Sequence, residues 1–167
     1  MPRLIVLLAL VGVAATAAPG ARWHVVEANG VALRIPSGWW TCVQSAGDGN
    51  LVDPRTVLVV GTRGARPRPS QCQVAHYRVP AAGAVVVVVA WKNETSGGGR
   101  PPRSRRPLAA IRIRKPSFEC YSGRGGAAQL SLGGRAFQVN VMVGDRASRA
   151  RVDQALAVAR SFDLSRR

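Results

Sequence analysis

All but Lys92 and Lys115 of the 24 basic residues in this 167-residue sequence are arginine, against 8 acids and a formal net charge of +16. The chemistry best represented among its side chains is therefore recognition of anions, because a guanidinium is planar, always charged, and presents a fork of donors that fits phosphate or carboxylate. The arginines that group in sequence are Arg66 and Arg68 in a proline-broken loop, Arg100, Arg103, Arg105 and Arg106 in a glycine- and proline-rich stretch, and Arg112 and Arg114 on a strand-like segment. These eight are the candidate anion-binding residues. Only Glu94 lies near them in sequence, so they are expected to be solvated and, if the two loops lie side by side, to form one surface for anionic wall polymer, anionic lipid or nucleic acid. A compositional reading stands beside this one. Arginine, alanine, glycine, valine and proline share GC-rich codons, and a GC-rich genome raises them together.

Other chemistries find less to work with. No serine sits in a G-x-S-x-G frame, and His24 and His76 are each isolated as candidate bases. Glycosidase chemistry needs two carboxylates across a cleft. Of the eight acids several are committed to strands, turns or caps, and Asp145 reads as the cap of a helix. Gly123, Gly125 and Gly126 around Arg124 lack the G-K-[ST] ending of a phosphate loop and read as a hairpin turn. Asp48-Gly49-Asn50 has too few oxygens in phase for calcium. Trp23, Trp39, Trp40 and Trp91 could stack on sugars or bases but read first as core. No metal or other cofactor and no small-molecule substrate is implied.

Arg3, the apolar run Leu4 to Val13, and Ala15-Thr16-Ala17 form a signal-peptide pattern with cleavage near Ala17. The run is shorter than the ~20 residues that cross a bilayer. Residues 1–17 are thus expected to be a signal and residues 18–167 one exported domain, secreted or held in the cell envelope. In that oxidising setting three cysteines predict one disulfide and one thiol. Cys72 lies in a loop that needs tethering and Cys120 follows a strand start, so these two are expected to pair, leaving Cys42 as a small apolar residue. Closing the loop of about 49 residues would stabilise by roughly 4 kcal/mol.

The elements that must position these residues are mostly strands. Trp23–Glu27 and Val31–Ile35 flank Asn29-Gly30, which predicts a hairpin pairing Val26 with Leu33 and His24 with Ile35. Ala127–Leu132 and Arg135–Val143 flank Gly133-Gly134 and alternate apolar with polar, pairing Leu130 with Phe137 and Gln129 with Gln138. Thr56–Thr62 is a third strand region, and Leu108–Arg114 a fourth, with Ile111 and Ile113 inward. The run Val85–Val89 has no polar phase and belongs in the middle of a sheet. Trp39 and Trp40 read as a lid over one end of the core, and Lys92–Pro107 as an exposed, mobile loop. After Gly144 the period changes: Val152, Ala155, Leu156, Ala159 and Phe162 make one stripe on a helix from about Arg146 to Ser161. An α+β fold follows, a mainly antiparallel sheet of about seven or eight strands covered by a C-terminal helix.

The segments Arg34-Ile35-Pro36-Ser37-Gly38-Trp39 and Gly134-Arg135-Ala136-Phe137-Gln138-Val139, the helix ending Ala159-Arg160-Ser161-Phe162, Cys72 and the pair Glu119-Cys120 resemble small exported actinobacterial proteins. More remotely, the Pro-x-Gly-Trp strand end and the terminal strand and helix resemble the PsbP/Mog1-like α/β/α sandwich. Neither resemblance implies an activity or a site residue. Three classes remain: a non-enzymatic exported or cell-envelope module with a basic surface, which is the expectation; an enzyme whose site is not a linear motif; and an extracellular nucleic-acid binder.

Overall fold

A computed structural model describes residues 22–42, 54–67, 77–94, 100–115, 121 and 123–166. In chain order they form β1 (Trp23–Ala28), β2 (Val31–Pro36), β3 (Trp39–Cys42), β4 (Arg55–Thr62), β5 (Arg66–Pro67), β6 (Tyr77–Arg78), β7 (Ala84–Ala90), α1 (Arg106–Ala109), β8 (Arg124–Leu132), β9 (Arg135–Val143), α2 (Arg149–Arg160) and β10 (Asp163–Leu164). Every strand pairing is antiparallel. The strands divide into a five-stranded sheet ordered β3-β4-β7-β9-β8, a three-stranded sheet β1-β2-β10, and a ribbon β5-β6. The α+β reading holds.

Both sequence-predicted hairpins form in the predicted register. Val26 faces Leu33 and His24 faces Ile35 across an Asn29-Gly30 turn at φ 51° and 80°. Leu130 faces Phe137 and Gln129 faces Gln138 across Gly133 and Gly134, at φ 55° and 75°. Positive φ at both turn residues matches the right-handed twist of the flanking strands, which is why these dipeptides fix a register.

The valine run is the central strand β7 and is buried throughout. Val86 and Val88 join Leu58, Val60, Val139 and Val141 in the larger core, while Val85, Val87 and Val89 join Val59 and Met142 in a smaller core on the opposite face. Helix α2 covers the larger core through Ala155, Val158 and Ala159, and Phe162 just past its end is tilted onto Phe137 at 5.2 Å between ring centroids. The three-stranded sheet adds Val31, Leu33 and Ile35 beside the helix. Tyr77 of the ribbon and Ala65 just before it pack on the smaller core.

Five expectations are corrected. The helix begins at Arg149, not Arg146, because Ser148 is its N-cap, its hydroxyl accepting from Arg151 N at 3.2 Å; Asp145 is exposed and does not cap. The buried stripe centres on Val158 and leaves Val152 and Leu156 half-buried. Leu108–Arg114 is not a strand: Pro107 lies in the first turn of the short helix α1, where its missing N–H costs nothing, and only Arg114 bridges Gly125 of β8. Leu108 and Ile111 are nevertheless buried. Gly125 and Gly126 lie inside β8 rather than in a turn, and a Cβ on Gly126 would meet the Arg112 carbonyl oxygen at 2.3 Å. Trp39 and Trp40 form an edge strand in place of a lid, Trp39 facing the helix side and Trp40 the other.

Candidate anion-binding surface

The ends of the five-stranded sheet are chemically unlike. One, the hairpin end, carries the Asn29-Gly30 and Gly133-Gly134 turns; the other, the loop end, carries the turns after β2, β4 and β9 and the Pro80–Gly83 turn. The row Gly61-Val85-Met142-Gly125 and the row Ala90-Phe137-Leu130 are five residues apart on β7, about 17 Å at roughly 3.4 Å per residue.

The predicted arginines are split between these ends. Arg66 lies across the ribbon from Arg78 at the loop end, where Gly64 approaches Pro80. Arg114 is there too, through its bridge to Gly125. Arg103 is at the hairpin end, where its Nε and Nη2 donate to Glu94 Oε2 at 3.1 and 2.6 Å. Glu94 Oε1 accepts from Ser131 Oγ at 2.7 Å. The Arg103 hydrogen bonds, then that of Ser131, hold the Glu94 carboxyl below its ordinary pKa. Arg105 pairs with Asp163 at 2.7 Å. Arg66 and Arg103 therefore stand at opposite ends of the sheet rather than on one surface, and the segment carrying Arg103 is anchored where Pro102 O accepts from Ser131 N at 2.9 Å. Arg112 donates from Nη1 to Ala109 O and Ile111 O at 3.0 and 3.1 Å, while Arg100 and Arg106 are exposed. Arg68, Cys72, Cys120 and His76 lie outside the described residues, as do Glu119 and Asp53.

At the loop end, two grooves flank the Pro80–Gly83 turn. The first, about 390 Å³, is lined by Ser37, Trp39, Arg63, Arg151 and Gln154 among others, with no carboxylate among the described residues that line it. The second, about 420 Å³, lies between Arg78 and Asp145 and includes Tyr77, Tyr121 and Gly144. Tyr121 donates to Val143 O at 3.1 Å; burial first, and then the Asp145 charge, push its phenol up to about 12. Arg124, half-buried, donates to Asp145 O at 3.4 Å, and Arg146 is exposed on the turn into α2. The acids of this region are loosely engaged: Asp145 stands 3.9 Å from Lys115 and Asp153 3.9 Å from Arg149. Such exposed pairs contribute little.

The ridge between the grooves is fixed by backbone. Gly83 N donates to Pro80 O at 2.8 Å, Gly144 N to Gly83 O at 2.9 Å and Arg146 N to Ala81 O at 2.8 Å. A Cβ on Gly144 would lie 2.0 Å from Pro80 O, so this contact needs glycine.

A third groove at the hairpin end is lined by Glu94, Arg103 and Ser131, so its cation is already matched. Arg135 is also at that end, over the Phe137 ring at 5.1 Å; burial, then the nearby Arg55 charge, lower its pKa. Sequence reasoning missed Arg63, Arg78, Arg124, Arg146 and Arg151, which come one or two to a connection and gather only when the sheet forms. Among the described residues no three His, Cys, Asp or Glu side chains come together to hold a metal, and no helix is long and apolar enough to cross a membrane. No protein-family model and no curated protein matches the chain.

Proposed function

We propose that the protein is a non-enzymatic exported module whose loop end holds an anionic polymer of the cell envelope. The observation that carries this reading is the imbalance at that end: Arg63, Arg78 and Arg151 line two grooves, with Arg66, Arg124 and Arg146 on the adjoining segments, and among the described residues the lining holds one carboxylate, Asp145. A surface of this kind attracts polyanions and binds them by releasing their counterions, with affinity that falls steeply as salt rises. The hairpin end is the weaker candidate, because Glu94 and Asp163 already neutralise Arg103 and Arg105.

An extracellular nucleic-acid binder would add a track of exposed aromatic rings for successive bases. Here Trp39 is buried, Trp40 and Trp91 are half-buried, and Trp23 of β1, opposite Pro36, is the one exposed tryptophan among the described residues. One ring is a platform, not a track.

The test is retention on immobilised poly(glycerol phosphate) across a salt series, with single-stranded oligonucleotide and anionic vesicles as comparison. The polymer is expected to hold the protein to higher salt than the oligonucleotide. Changing Arg63, Arg66, Arg78 and Arg146 together to Ser should release it early, and changing Arg100, Arg103, Arg105 and Arg106 should not. Equal elution of the two variants would remove the loop end as the contact surface.

A further inference from the structure

We infer that the first loop-end groove is a site for one tetrahedral oxyanion, the phosphate of a phosphodiester. The inference rests on the loop end being an anion-contact surface and names the group recognised there. Gln154 sets the polarity of the groove. Its Oε1 accepts from Trp39 Nε1 at 3.3 Å and from the Arg151 guanidinium. Turning the amide over would set its NH₂ against two donors, so the network fixes its orientation and leaves Nε2 as the group Gln154 can still offer.

Arg63 brings a second guanidinium from the end of β4, and neither it nor Arg151 is in an ion pair among the described residues. Thr62 is committed elsewhere, its hydroxyl accepting from Ala84 N at 3.0 Å and donating to Ala84 O at 3.3 Å. The Ser37 hydroxyl donates to Arg22 O at 3.0 Å. The charged and amide side chains facing the groove are thus donors, carried by two different elements. A planar carboxylate is satisfied by a single guanidinium fork; oxygens disposed tetrahedrally can take donors from Arg63, Arg151 and Gln154 at once. The roughly 390 Å³ of space admits a phosphate together with the groups it joins.

The nearest acid in sequence, Asp153, faces Arg149 one turn back on the helix. Among the described residues no carboxylate lines the groove to compete for the guanidinium groups.

The experiment follows the Trp39 indole N–H and the Arg63 and Arg151 Nε–H signals by nitrogen–proton NMR. Inorganic phosphate, glycerophosphoglycerol and acetate are titrated at constant ionic strength made up with chloride. A saturable shift is expected with the two phosphorus compounds, with acetate at least about tenfold weaker. Arg63→Gln and Arg151→Gln should each weaken phosphate binding about tenfold, and Arg106→Gln should leave it unchanged. Tighter binding of the diester assigns the groove to a polymer segment; tighter binding of inorganic phosphate assigns it to the free ion and overturns the diester. A shift that does not saturate, equals that of acetate, or survives loss of both arginines overturns the site. If poly(glycerol phosphate) still retains the protein in that event, the polymer reading stands without this groove. A saturable phosphate shift without polymer retention leaves the site and removes the polymer.

Discussion

At the hairpin end Glu94 and Asp163 hold Arg103 and Arg105 at 2.6 and 2.7 Å; at the loop end Asp145 and Asp153 stand 3.9 Å from Lys115 and Arg149. The same residue types do different work at the two ends. The Glu94 carboxylate joins Arg103 to Ser131 of β8 and so fastens the long connection before α1, a structural use of charge. The loop-end cations fasten little. Their field is left to the solvent and whatever anion it contains.

The comparison is most exposed to a salt titration. Replacing Arg63, Arg66, Arg78 and Arg146 by Ser should lower the slope of log affinity against log salt for a polyanion by about three, at roughly 0.7 per lost contact to a single strand. The hairpin-end set should lower it by less than about one. Matching slopes would dissolve the distinction between the ends.

Next in size is packing. Phe162→Ala removes a fully buried ring that meets Phe137 near the hairpin end, and should cost about 3–5 kcal/mol in denaturant unfolding. A loss near zero would mean that ion pairs, not the core, hold this end. Gly144→Ala should cost about 1–3 kcal/mol, since the chain must move a carbonyl to admit the methyl. It should also weaken polyanion binding; unchanged retention would mean that the ridge does not shape the surface.

Two pH effects are smaller and of opposite sign. The folded pKa of Tyr121 is raised from an ordinary value near 10 to about 12. Its contribution is whole below about pH 10 and is lost as pH rises to about 12. In Tyr121→Phe this alkaline loss should shrink. The Glu94 pKa is lowered, so its contribution is present above the ordinary carboxylate range and disappears as pH falls through the folded value. Glu94→Gln should give the smallest change in melting temperature of the set at neutral pH, together with a flatter acid limb; an unaltered limb would remove Glu94 as the fastening.

The sequence reveals what is settled locally. Asn29-Gly30 and Gly133-Gly134 dictate turns whose geometry fixes register, and alternation then chooses a face for each side chain. The unbroken valines of β7 identify a strand covered on both sides. Sheet membership is not local: that β2 pairs with β10 and β3 with β4 depends on contacts far apart in sequence, and no turn announces it. Leu108–Arg114 misleads because β-branched residues at alternate positions suit an extended chain, while Pro107 and the burial of Leu108 select one helical turn instead. The candidate site was illegible for a similar reason. Arg100 to Arg106 stands out as a run, yet two of its arginines are matched by acids nine and 58 residues away. The cations of the loop end are spread over β4, the ribbon, β8 and the start of α2.

The fixed ridge bears on the thermodynamics of occupancy. Two backbone hydrogen bonds and a glycine contact hold the Pro80–Gly83 turn, itself closed by a third hydrogen bond, to the start of the α2 connection before any ligand arrives. Filling the grooves beside it displaces water and ions but need not order that stretch of chain, so no backbone entropy is surrendered there. Binding should accordingly show a small heat-capacity change, unlike the large negative one that accompanies folding on contact. Its rate should follow the electrostatic field and the ionic strength, since no slow rearrangement of the ridge stands between encounter and complex.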